Sequence, residues 1–246
     1  MQTLFARYSN SEMSLTVLER QLKRSVRDAG RLYIFHFVYL AALGDKVRKD
    51  GDIKGAKFLP SEEDKKFSMR FYHNSLIQAI RQDEEFDRIV EREKLGPLLE
   101  DNMVDFGYKL LKKSEAYIEY LAIPIDDSEK KAEADKQVVL RFITEDLWLN
   151  EDFSDYLEDA FPCWDEDLEL VIPRVRKSIK NWNPSKIGDW SDTSLDLLEE
   201  SRDFVLKLLQ VSVRHETELE ELIKPRLENW DLDRVSLMDR ILIRMA

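Results

Sequence analysis

Residues that interrupt helices are rare in this chain, which holds 7 glycines and 7 prolines among 246 residues. Inside a helix, glycine costs about 1 kcal/mol and proline about 3 kcal/mol relative to alanine. Apolar side chains recur three and four residues apart, as in Leu15, Leu18, Leu22 and Val26. That spacing places them on one face of a helix. We therefore predict an all-α fold, a multi-helix bundle without strands.

The longest apolar run, Leu32 to Leu43, predicts the centre of this bundle. The preceding pattern indicates one long helix that starts after Ser14 as N-cap and continues through the run. We expect Gly44 to end that helix, because glycine is favoured just beyond a helix C-terminus. A loop over Asp45 to Lys57 would follow. Further along, Pro173 is expected to divide residues 164–182 into two helical pieces or to kink them.

Cell compartment follows from the same run and from cysteine usage. Twelve residues are too few for a bilayer, which needs about 20, and the N-terminus lacks the pattern of a signal peptide. The single cysteine, Cys163, cannot form an internal disulfide, as is typical of a reducing cytoplasm. We expect a cytoplasmic protein with no membrane segment.

Motifs for catalysis are missing from the sequence. No glycine-rich phosphate loop occurs, and the histidines His36, His73 and His215 are far apart. Cys163 has no basic neighbour that would activate it. We therefore expect no enzyme activity, no cofactor and no metal. His36, inside the apolar run, is predicted to be a hydrogen-bonded core residue.

Charge is distributed unevenly around a net value of −12. Residues 1–50 hold nine bases and five acids, giving 9 − 5 = +4, whereas residues 126–170 hold four bases and sixteen acids, giving 4 − 16 = −12. Two basic groups favour RNA phosphates: a helical face with Arg20, Lys23, Arg24, Arg27 and Arg31, and a cluster of Arg174, Arg176, Lys177 and Lys180 beside Trp182. Solvated helix faces are the alternative interpretation of both.

The chain ends in an amphipathic stretch, Glu228 to Ala246. Leu237, Ile241 and Met245 repeat at four-residue intervals and predict a helix. Ser236 and Asp239 have the spacing of a capping box, with Asp in place of the usual Glu or Gln.

The letters of this stretch carry a resemblance. N-W-D-L-D-R followed by D-R-I-L-I-R-M-A, within Asn229 to Ala246, resembles the signature near the middle of the NusB family of bacterial transcription antitermination factors. Met1 to Tyr8, M-Q-T-L-F-A-R-Y, is similar to the second half of that family's first helix. Weaker similarities to long-inserted members occur at Leu59 to Asp64, Phe67 to Asn74 and Trp164 to Val171.

The resemblance implies a division of the chain. Residues 1–10 and 195–246 would be parts of a NusB-like helical core, and residues 11–194 a large helical insertion. Family members carry an arginine-rich run before the stretch that starts here at Met1, and they continue beyond Ala246. The resemblance thus implies a chain clipped at both ends.

The implied function is that of a non-enzymatic adaptor. NusB proteins pair with NusE, a small-subunit ribosomal protein, bind boxA RNA of ribosomal transcripts, and so act on the elongating RNA polymerase. The positions implied for partner binding are Phe5, Trp230, Asp233, Asp239 and Arg240. The candidates for RNA binding are Gln2, Arg7, Arg20, Arg24 and Arg27. Because the arginine-rich run is missing, RNA binding is expected to be weak.

Two other functions fit the same residues. The chain is alternatively the NusB-like domain of a ribosomal RNA methyltransferase, or a purely structural helical interaction module. The sequence leaves the oligomeric state open.

Overall fold

The computed structural model describes residues 1–10, 13–124, 128–161, 164–183, 199–227 and 234–245. Every regular element in these ranges is a helix, so the all-α prediction is confirmed. The α-helices are α1 (Gln2–Ser9), α2 (Leu15–Gly55), α3 (Glu62–Lys66), α4 (Ser75–Gln82), α5 (Glu84–Arg92), α6 (Asp101–Lys113), α7 (Glu115–Ala122), α8 (Ser128–Arg141), α9 (Glu151–Ala160), α10 (Trp164–Asn181), α11 (Glu199–Arg214), α12 (Glu216–Ile223) and α13 (Leu237–Met245). Short 3₁₀ turns cover Gly96–Leu98 and Lys224–Arg226.

The chain divides into two compact units. Unit 1 comprises Met1–Arg27 and Asp196–Ala246, and unit 2 comprises Asp28–Leu195. Helix α2 supplies residues to both. That residues 1–10 and 195–246 are parts of a family-type core, and residues 11–194 an insertion, stays a prediction.

Unit 1 has a small apolar core from four helices. Leu4 of α1, Leu18 of α2, Leu209 of α11 and Ile241 of α13 are buried together. Half-buried side chains pack around these four, namely Tyr8, Met13, Leu15, Leu22, Val213, Leu237 and Met245. The predicted inward positions Leu237, Ile241 and Met245 of the last helix therefore do face this core.

Unit 2 is organised around the apolar run of α2. Most of its side chains are fully buried, including Phe35, Phe37 and Tyr39. The Phe35 ring lies 6.0 Å from that of Tyr156 and 5.4 Å from that of Phe161, between centroids. The prediction that this run lies at the centre of a helical core is confirmed.

The predicted end of this helix at Gly44 is wrong, because α2 continues to Gly55. Gly44 serves close packing instead: a Cβ built there would lie 2.7 Å from Cγ2 of Ile77 in α4. Gly51 is similar, since its Cβ would lie 2.6 Å from the side chain of Met69. The predicted loop over Asp45 to Lys57 is therefore largely helix, and its glycines allow neighbouring segments to approach.

A buried carboxylate joins three helices of unit 2. Asp135 of α8 is 0% exposed. Its Oδ2 accepts hydrogen bonds from the backbone N–H and the hydroxyl of Ser75, at 2.7 and 2.5 Å, and its Oδ1 accepts from the Tyr120 hydroxyl at 2.6 Å. Burial and the Asp135 charge raise the pKa of Tyr120 above its usual range, so that hydroxyl remains a donor. A buried charge is tolerable when its lone pairs are satisfied in this way.

Two irregular positions occur in the second half of unit 2. Residues Phe142–Leu147 form a π-helical turn, closed by a hydrogen bond from Trp148 N–H to the Ile143 carbonyl at 3.0 Å. Helix α10 runs without interruption from Trp164 to Asn181 with Pro173 inside it, so the predicted division into two pieces is not seen.

Candidate functional site

The C-terminal helix of unit 1 is anchored by a buried arginine. The side chain of Arg244 in α13 is 3% exposed. Its Nη1 lies 2.9 Å from Glu216 Oε1, and its Nη2 donates to Glu220, so it bridges to two carboxylates of α12. Burial, and secondarily the nearby charge of Arg7, lowers the pKa of Arg244. Guanidinium groups nevertheless remain charged in proteins.

Helix α1 joins the same network. The Tyr8 hydroxyl donates to Glu216 Oε1 at 2.5 Å, and the Arg7 guanidinium donates to Glu216 Oε2 at 3.1 Å. The Arg244 guanidinium carbon lies 5.1 Å from the Tyr8 ring centroid, a cation–π distance. Glu216 therefore receives groups from α1 and α13 at once, and holds the two helices to α12.

The outer side of these helices is apolar. Helix α1 buries Leu4 but leaves Phe5 42% exposed. Helix α13 packs against α1 and leaves Met238 39% and Leu242 48% exposed. We call Phe5, Met238 and Leu242 the apolar face of unit 1.

Polar groups accompany this face. Asp239 is exposed, and its backbone N–H donates to Ser236 Oγ at 3.2 Å while its Oδ2 accepts from that hydroxyl at 2.7 Å. The predicted pairing of Ser236 with Asp239 is thus present. Arg240 is half-buried. The other two residues expected to bind a partner, Trp230 and Asp233, lie outside the described residues.

The basic face of α2 lies in unit 1. Arg20, Arg24 and Arg27 are exposed, and they follow one another at four- and three-residue steps, which places them on one side of the helix. Arg31 departs from this face: its guanidinium pairs with Asp28 at 2.8 Å and lies 5.8 Å from the Phe161 ring. Gln2 is exposed.

Within the described residues, no group of three or more His, Cys, Asp or Glu side chains has metal-binding geometry. The searched helices include none that is long and apolar enough to cross a membrane. Cys163 lies outside the described part of the chain.

Comparison with known proteins identifies this region. A family model described as the NusB family matches residues 174–246. The C-terminal part of this chain belongs to the NusB family.

Two curated relatives agree with that assignment. The transcription antitermination protein NusB of a Nitratiruptor species is 38% identical over 57 residues, 21% of this chain and 41% of that protein. The protein of the same name from Halalkalibacterium halodurans is 36% identical over 55 residues, 22% of this chain and 41% of that protein. The chain thus spans about two fifths of the length of these NusB relatives. No solved structure matches the chain significantly.

The network around Arg244 escaped the sequence analysis. Arg244 lies within the NusB-matched segment, and Glu216 and Glu220 precede it by 28 and 24 residues. One signal was available: Arg244 falls three residues after Ile241 on the inward side of an amphipathic helix. A charged residue there requires a buried partner.

Proposed function

We propose that this chain is a non-catalytic adaptor of the transcription antitermination complex, acting in the cytoplasm. It would pair with NusE through the apolar face of unit 1 and bind boxA RNA through the basic face of α2, and so act indirectly on the elongating polymerase. The NusB-family match over residues 174–246 carries this proposal. The matched relatives are named as antitermination proteins, which does not favour a methyltransferase domain.

The apolar face supports a protein partner. Phe5 and Leu242 expose large side chains on adjacent helices, and aromatic residues at such positions often dominate binding energy. Glu216 and Arg244 fix the helices that present them, so little order would have to be gained on binding. Asp239, Arg240, Trp230 and Asp233 are proposed as the polar and aromatic surroundings of this contact.

The exposed arginines support RNA binding in unit 1. Arg20, Arg24 and Arg27 present three guanidinium groups along about two turns of helix. Guanidinium groups match phosphate geometry well. Arg7, also expected to bind RNA, is paired with Glu216, so an RNA phosphate would compete with that carboxylate.

The test is a calorimetric titration of the chain with NusE from the same organism. Phe5→Ser should weaken binding about tenfold or more, since loss of a central anchor costs at least about 1.4 kcal/mol. Phe204→Ser is the matched control, because Phe204 is a 66% exposed phenylalanine of α11 in the same unit. Equal effects of the two changes, or no NusE binding by the unaltered chain, would overturn the protein-binding part.

The RNA part is tested separately with boxA RNA. Replacing Arg20, Arg24 and Arg27 by Gln should weaken binding and reduce its salt dependence. The same three changes should leave the affinity for NusE unchanged. RNA binding that is indifferent to these arginines would remove the basic face from the proposal.

A further inference from the structure

A tryptophan in unit 2 is held rigidly from beneath by the buried His36. The Trp148 indole N–H donates to His36 Nε2 at 3.0 Å, and His36 Nδ1 lies 2.7 Å from the Leu32 carbonyl. A carbonyl only accepts, so Nδ1 carries the proton and Nε2 is the acceptor. The prediction of a hydrogen-bonded core histidine is confirmed, since His36 is 2% exposed. The half-buried indole therefore has a fixed orientation.

A guanidinium group covers this indole. The Arg176 guanidinium carbon lies 5.6 Å from the Trp148 ring centroid, within the range of cation–π attraction. Arg176 is exposed and Trp148 half-exposed, so both flat groups are accessible from solvent. Nucleic-acid bases stack on aromatic rings and on arginine planes alike.

Positive charge continues from this point along α10. From Arg174 to Asn181 the helix has four bases and no acid. Arg176, Lys177 and Lys180 are exposed. Among the described residues, none of these three forms an ion pair with a carboxylate. Arg176 and Lys180 are four residues apart and share a helix face.

Helix stabilisation alone explains only part of this arrangement. Bases near a helix C-terminus stabilise the helix dipole by about 0.3–1 kcal/mol each, which accounts for positive charge at the end of α10. That effect does not require an indole under Arg176, nor a buried histidine that orients the indole. Among the acids just before Trp148, Glu145 is occupied by an ion pair with Arg141 at 3.1 Å.

We propose that Trp148, Arg176, Lys177 and Lys180, here called the Trp148 platform, bind single-stranded RNA. Unpaired bases would stack on the indole and guanidinium while the lysines contact phosphates. This combination of stacking and charge is how proteins bind single strands with little sequence preference. Duplex RNA offers no exposed base faces, and an acidic peptide would use the charges only. The platform lies in unit 2, so the proposal is separate from the RNA face of unit 1.

The test uses fluorescence anisotropy of the full chain with a labelled short oligouridylate. All variants are made in a background with Arg20, Arg24 and Arg27 changed to Gln, which removes the RNA face of unit 1. The site variant is Arg176→Gln/Lys177→Gln/Lys180→Gln. Its matched control, Lys66→Gln/Lys109→Gln/Lys113→Gln, removes the same charge from exposed positions elsewhere in unit 2. Trp148→Leu removes the stacking surface, and Trp148→Phe retains an aromatic ring.

We expect the site variant to weaken binding about tenfold or more and to flatten the plot of log affinity against log salt by about 2, from about 0.7 per lost phosphate contact. Trp148→Leu should weaken binding about tenfold, and Trp148→Phe should restore most of it. Four outcomes would overturn the proposal: no binding in the background variant, equal losses in site and control variants, no effect of Trp148→Leu, or polyglutamate binding as tightly as the RNA.

Discussion

The two units of this chain bury their charges in different ways. In unit 2, the Asp135 carboxylate is surrounded by neutral donors, and the core around it is aromatic and aliphatic. In unit 1, the buried charge is Arg244, which is compensated by carboxylates from another helix. Unit 1 also exposes Phe5 and Leu242 next to its small core. We infer that unit 2 is largely complete by itself, and that unit 1 is shaped to present a surface.

The largest expected effect concerns the aromatic core of unit 2. Phe35→Ala should lower the free energy of unfolding by about 3–5 kcal/mol, because it removes a fully buried ring and leaves a cavity. Phe58→Ala is the same change at a side chain that is 96% exposed, and should stay within about 0.5 kcal/mol. Chemical denaturation measures both. Similar losses for the two would mean that unit 2 has no tightly packed centre.

The next effect tests the ion pairs of unit 1. Arg244→Met should lower the free energy of unfolding by about 2 kcal/mol, since it leaves Glu220 unpaired. Full burial would cost more, but both glutamates keep about a quarter of their exposure. Glu220→Gln should show part of this loss, whereas Glu221→Gln, at the exposed next position, should not. Denaturation of the four proteins decides, and a neutral Arg244→Met would show that the network adds no stability.

A smaller effect distinguishes unit 2 by its response to pH. Burial lowers the pKa of His36 from 6.5 to about 4. The unfolded chain therefore binds a proton near pH 6.5 that the folded chain refuses, so stability falls as the pH drops toward about 4. Between about pH 7.5 and 5.5 the loss from this group is about 1.3 kcal/mol. Denaturation at both pH values should show a smaller change for His36→Leu, and an equal change would contradict the assignment.

The smallest effect concerns the close approach of α2 and α4. Gly44→Ala should destabilise by about 1 kcal/mol, because the clash with Ile77 outweighs the better helix propensity of alanine. Gly55→Ala meets nothing within 4 Å and should be neutral or slightly stabilising. Thermal unfolding compares them, and a stabilised Gly44→Ala protein would return Gly44 to the role of a helix breaker.

Much of the helical fold was predictable because it depends on local spacing. The inward faces around Leu32 to Leu43 and around Ile241 followed from their period alone, and both are buried. The continuation of α2 past Gly44 was not predictable in this way. A glycine that ends a helix and one that admits Ile77 look the same in sequence, and only the packing partner distinguishes them.

The candidate sites were predictable only as helix faces. Exposure of Arg20, Arg24 and Arg27 opposite the buried Leu18 agrees with the periodicity of α2. The pairing of Arg7 with Glu216 joins residues 209 positions apart, and the contact of Arg176 with Trp148 joins two separate helical segments. Such contacts depend on chain topology, which one sequence does not display.

The π-helical turn Phe142–Leu147 also has a genetic meaning. A turn of this kind holds one residue more than an α-helical turn, so it corresponds to a single inserted codon within an otherwise regular helix. Removing one residue from it would restore α-helical spacing and rotate whatever follows by about 100°. Trp148 is the first residue after the turn. One codon would thus decide whether the indole meets His36 or turns away from it.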